Sequence, residues 1–158
     1  MIDTKKVTDR RRLSFTSLED IQADVEALDG SAIRTTGNWT AAQIVQHVTD
    51  VITLSVDGFG FRLALPLRVL GRSLRSQALT RPMRPGFSVP EAMRARLPSD
   101  QVPFEQAIAS LRQAIGRAKS ERMTKASPLL GALTHEQWVQ FHSRHAEMHL
   151  SFVHPAAV

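Results

Sequence analysis

The sequence predicts an all-α protein: a four-helix bundle with a long, partly helical connection between its second and third helices. Three observations point there. Four segments carry apolar residues at helical spacing. Two of those segments open on the same start signal, an apolar residue followed by Thr-x-x-Gln. No segment alternates convincingly as a strand would.

The first helix is expected from about Ser17 to Leu28. Leu18, Ile21, Val25 and Leu28 share one face, Thr16 and Glu19 suit a capping box, and Gly30 stops the helix. The second begins at Thr40, where Thr40 and Gln43 form the capping box and Trp39 and Ile44 the hydrophobic staple. Ile44, His47, Val48, Val51 and Ser55 follow along one side, and Gly58 and Gly60 end it. The third is expected from Pro103 to Lys119, with Phe104, Ala107, Ile108, Leu111 and Ile115 as its stripe. The fourth starts at Thr134, with Gln137 closing the cap and Leu133 stapled to Trp138. It continues through Phe141, His145, Met148, His149 and Phe152, with Pro155 just beyond its end.

The connection between helices two and three runs to about 40 residues, too long for a structureless loop in a compact domain. Its first part, LPLRVLGRSLRSQAL, suits a short amphipathic helix with Leu67, Leu70 and Leu74 on one side and Arg68, Arg72 and Arg75 on the other. The leucines are expected to pack on the bundle. The second part, TRPMRPGFSVPEAMRARLP, is proline-rich and expected to be irregular. There is no repeat, and no boundary divides the chain, so residues 1–158 read as a single domain.

Composition narrows the function classes. The 158 residues are 42% hydrophobic and 22% charged, as in an ordinary soluble protein. Cysteine is absent, which excludes disulfides and thiolate metal sites. The N-terminus lacks an apolar signal region, and no stretch approaches the roughly 20 apolar residues of a membrane span. A cytoplasmic location is expected. The net charge of +5 is local: residues 61–90 carry six arginines and no acid, which leaves the rest of the chain at −1. That pattern argues against a nucleic-acid coat. The narrow apolar face around Pro66 argues against stable membrane association. Arg10, Arg11 and Arg12 read as a solvated lead-in to the first helix.

The chemistry lies in the histidines. His145 and His149 are four apart on one helix face, and His47 falls inside the apolar stripe of another helix. Three neutral imidazoles from two packed helices suit a divalent transition metal, Zn or Ni, with a coordination position left open. His142 lies near the same face, as a reserve ligand or a residue lining the site. Glu147 lies about 200° from His145 around the helix, so HAEMH is not the HExxH of zinc proteases and Glu147 is no general base. The alternative is three hydrogen-bonded core histidines.

GNWTAAQIVQHVTD together with FHSRHAEMHLSFV resembles the DinB-like superfamily. The opening RRLSFTSLEDI, the segment RPMRPGF and SPLLGALTHEQW resemble a bacterial branch of it known only as a domain of unknown function. The resemblance covers nearly the whole chain. It implies an up-down-down-up four-helix bundle with His47, His145 and His149 on the metal-ligand positions. In better-known relatives the metal activates the thiol of a small cofactor. No phosphate-binding loop, dinucleotide fingerprint or nucleophile elbow is present.

The resulting expectation is a metal-dependent hydrolase or small-thiol-dependent transferase acting on a small, anionic molecule. Arg68 and Arg72 are candidates to line the site from the basic connection, guiding the substrate to the metal; the alternative is that they simply face water while the leucines pack on the bundle. The alternatives are a non-enzymatic small-ligand-binding bundle and a dimerising one.

Overall fold

Three capping boxes set where the main helices begin. Thr40 and Gln43 cap one, and Thr134 and Gln137 another, as the sequence predicts. The first helix is capped one residue later than expected, by Ser17 and Asp20. The Asp20 carboxylate also accepts from the Thr16 backbone N–H (2.7 Å) and hydroxyl (2.9 Å). Adjacent Thr and Ser, and adjacent Glu and Asp, are equivalent cap chemistry, so local sequence does not choose the register.

The computed structural model describes residues 2–86, 98–99 and 101–156. Much of the proline-rich stretch expected to be irregular lies outside these residues. The helices are α1 (Leu18–Glu26), α2 (Ala41–Asp57), α3 (Leu65–Ser73), α4 (Arg75–Thr80), α5 (Phe104–Glu121) and α6 (His135–Leu150). The protein is mostly helical. Helix α2 packs on α5 and α6, and α1 packs on the same two helices. Their shared core holds Ile21 and Val25 of α1, Val45, Val48 and Ile52 of α2, Leu111 and Ile115 of α5, and Trp138, Ala146 and Leu150 of α6. The buried stripe of α2 is rotated from the expected one: Val45, Ile52 and Val56 point inward, and Val51 is only half-buried. His47 therefore lies at the edge of the stripe, next to the core without being sealed inside it.

A short sheet that the sequence did not reveal ties the site together. Strand β1 (Ile33–Thr35) pairs antiparallel with β2 (Val153–Pro155), with Arg34 opposite His154. Helix α6 thus ends at Leu150, before the expected Phe152, and the chain turns into β2. The Thr36 N–H donates to the Phe152 carbonyl (3.0 Å). Gly37 lies so close that a Cβ there would come within 3.3 Å of the Phe152 ring. The start of α2 is thereby fastened to the end of α6, the two stretches that carry the histidines.

Two of the three N-terminal arginines expected to be solvated, Arg10 and Arg11, are half-buried. Arg11 makes a bidentate pair with Asp24 (2.8 and 2.7 Å). Arg10 donates to the Ser151 hydroxyl (2.9 Å) and lies over the Phe152 ring, 4.6 Å from its centroid. Arg12 alone is exposed. Buried Glu147 accepts from the Phe15 N–H (2.6 Å) and pairs with Arg144 (2.6 Å). A segment rich in charge is thus strapped across α6.

The basic connection also departs from expectation. It forms two helices, α3 and α4, broken at Leu74. Leu67, Leu70 and Leu74 are exposed, contrary to the packing expected of them. The buried residue of α3 is Gly71, which rests on Leu129.

Candidate metal centre

His47 comes from the middle of α2, and His145 and His149 from successive turns near the end of α6. Their rings converge. The centroids of His47, His145 and His149 are 5.0, 4.6 and 4.6 Å apart, and the rings are steeply tilted to one another. One nitrogen from each lies within 4.8 Å of the other two. The Nε2 atoms of His47 and His145 are 3.2 Å apart.

That spacing is a test of fit. Two imidazoles bound to one tetrahedral ion at about 2.05 Å hold their nitrogens about 3.3 Å apart. The His47–His145 pair already has this separation, and one nitrogen of His149 lies within 4.8 Å of both. Without an ion, the same contact is a ring-to-ring hydrogen bond, with one ring donating to the other.

The rings are held neutral, the form that can act as a ligand. Burial pushes His47 down to about 4. Burial, and then the neighbouring His149, His47 and His142, hold His145 well below the usual histidine range. His149 is lowered by burial, then by His47 and by the positive charge of Arg10. Each imidazole resists becoming a cation beside the others.

Aromatic walls frame the group. Trp39 stacks on His149 (5.6 Å between centroids, 8° between planes) and tilts against His47. Phe141 stacks on His145 (5.6 Å, 14°). Both walls are half-buried. Such packing fixes ring orientation and keeps bulk water from surrounding the nitrogens. One feature is incomplete: among the described residues the buried His145 Nδ1 has no hydrogen-bond partner, where metal-bound histidines usually donate to a carboxylate or carbonyl.

His142 sits one turn away from this group. It is fully buried, stacked on Trp138 (5.2 Å, 16°), with Nε2 3.2 Å from the Ser55 hydroxyl. Its burial pushes it down to about 3. Among the described residues, the group that can share one ion is His47, His145 and His149. Arg68 and Arg72 line a different cleft, beside Phe59, Phe61 and Leu129, in which none of the three histidines takes part. Glu147 points to Phe15 and Arg144, consistent with its expected angle on the helix.

Sequence reasoning missed two members of the site. Trp39 was read as a staple, although its place directly before the Thr40 cap puts it over the first turns of α2. Arg10 had no local signal at all, because its partners Ser151 and Met148 lie at the far end of the chain.

The chain belongs to the family described as "Protein of unknown function (DUF1569)", whose model matches residues 7–156. No curated protein and no solved structure matches it.

Proposed function

We propose that this protein is a divalent-metal-dependent enzyme built on a DinB-like four-helix bundle, a hydrolase or small-thiol-dependent transferase acting on a small anionic molecule. The observation that carries the reading is the convergence of three neutral imidazole nitrogens, from two helices, to within 4.8 Å of one another. His47, His145 and His149 would hold the ion, and imidazole donors favour Zn or Ni. A divalent ion there supplies Lewis acidity, which polarises a carbonyl, acidifies water or stabilises a thiolate.

The protein's own residues define what can approach. Three uncharged donors leave an ion's charge uncancelled, and Arg10 adds a cation near His149, so the site attracts anions. Trp39 and Phe141 offer flat apolar walls to the rest of a ligand. Glu147 is committed to Phe15 and Arg144.

The test is metal analysis of protein purified without a polyhistidine tag, followed by assays with anionic esters and thiol acceptors. Bound Zn or Ni, and turnover that chelation abolishes and re-addition restores, support the reading. Protein that takes up neither metal after supplementation overturns it. The unpartnered His145 Nδ1 favours a second reading, a metal-free ligand pocket. That reading predicts ligand-induced stabilisation that chelators leave unchanged.

A further inference from the structure

Among the described residues, six large apolar side chains are exposed, and five of them belong to α3 and its C-terminal cap. They are Leu65 (65% exposed), Leu67 (40%), Val69 (58%), Leu70 (54%) and Leu74 (42%). At about 100° per residue they cover an arc of roughly 200°. The opposite side of the helix is Gly71, where a Cβ would lie 2.4 Å from the Leu129 carbonyl oxygen. The helix rests on its glycine and turns its apolar side to solvent. An ordinary surface helix does the reverse, and contiguous exposed apolar faces mark interaction surfaces.

Charge selects the occupant. Residues 61–86 carry Arg62, Arg68, Arg72, Arg75, Arg81 and Arg84 and no acid. Arg62, Arg68 and Arg72 line a cleft of about 340 Å³ between α3 and the 126–132 loop. Among the described residues none of these three makes an ion pair. A second copy docked symmetrically here would bring together two segments that each carry six arginines and no acid, a repulsive arrangement even though the arginines flank the apolar face. A bilayer rich in anionic lipid fits both halves of the surface. Leucines enter the boundary between headgroups and acyl chains while guanidinium groups take the phosphates.

We propose that α3 docks this protein reversibly on anionic bilayer surfaces, with Leu65, Leu67, Val69, Leu70 and Leu74 inserted and the cleft arginines on lipid phosphate. The narrow face expected from Leu67, Leu70 and Leu74 argued against this, but Leu65 and Val69 broaden it. Attachment would be peripheral, since among the described residues no helix is long and apolar enough to cross a membrane.

The experiment is co-sedimentation of the full chain with two kinds of vesicle, phosphatidylcholine alone and phosphatidylcholine with about one-third phosphatidylglycerol. The wild type should bind the anionic vesicles at least tenfold more tightly, and high salt should weaken that binding. Leu65→Ser/Leu70→Ser should lose most of it while keeping the wild-type circular dichroism and unfolding midpoint, because both side chains are exposed. Arg68→Gln/Arg72→Gln should lose roughly tenfold or more. No binding to either vesicle overturns the proposal, as does anionic binding that the leucine variant retains in full. Sedimentation velocity distinguishes the remaining outcome: a dimer that the leucine variant abolishes, without vesicle binding, makes this face a contact between copies and also overturns it.

Discussion

The histidine end of the molecule and the α3 segment are built from the same materials, apolar and basic or polar residues at helical spacing, and are used in opposite senses. In α6 the apolar stripe faces inward, and the imidazoles within it converge with His47 between aromatic walls. In α3 the apolar stripe faces outward, and the helix touches the body through Gly71. Periodicity identifies a face. It does not say which side the face will meet. That depends on whether the opposite side offers something the body can accept, and a glycine against a carbonyl is a closer fit than any leucine.

If this contrast is right, perturbations at the two regions should differ in kind. The largest effect is expected from acid. His47 is held at about 4 and His142 at about 3, both mainly by burial, with His145 and His149 well below the usual range. These folded-state values lie below the unfolded value near 6.5, so the unfolded state binds more protons as pH falls. The stability of metal-free protein should therefore be intact above about pH 6.5 and fall steadily toward about pH 4. Urea unfolding across that range checks it, and a flat profile would mean that the rings are more solvated than they look.

A core substitution comes next. Ile52→Ala should cost about 3 kcal/mol, because Ile52 is fully buried between packed helices. Glu147→Gln should cost about 2 kcal/mol, since Arg144 loses its buried counter-charge and keeps only its hydrogen bond to the Phe15 carbonyl. Faster proteolysis before Ser17 should accompany it. Gly71→Ala should cost about 1–2 kcal/mol by lifting α3 off Leu129. Leu70→Ala should change stability by less than about 0.5 kcal/mol, because that side chain is already in solvent. Chemical denaturation orders all four. An equal cost for Ile52→Ala and Leu70→Ala would erase the contrast between the two regions.

Much of this was legible from the chain. Thr-x-x-Gln marked the starts of α2 and α6, because the capping box is local chemistry. The four-residue step from His145 to His149 placed both rings on one face, and the apolar neighbours of His47 placed it near the core. What could not be read depended on distant partners. Arg10 and Arg11 looked solvated because Ser151 and Asp24 are brought to them only by the fold. The strands β1 and β2, three residues each, are too short to show alternation. The cleft that holds Arg68 and Arg72 is formed with a loop some sixty residues further along the chain, at 126–132, so nothing in the arginines' own neighbourhood separates them from the histidine centre.

The most direct test is X-ray absorption at the Zn or Ni edge of metal-loaded protein, comparing wild type with His47→Ala and His145→Ala. Three imidazoles at about 2.0–2.1 Å from the ion are expected in the wild type, with that coordination lost in both variants. A spectrum with one histidine or none, or one that the substitutions leave unchanged, would show that the ion is held elsewhere and that the three rings are only part of the core.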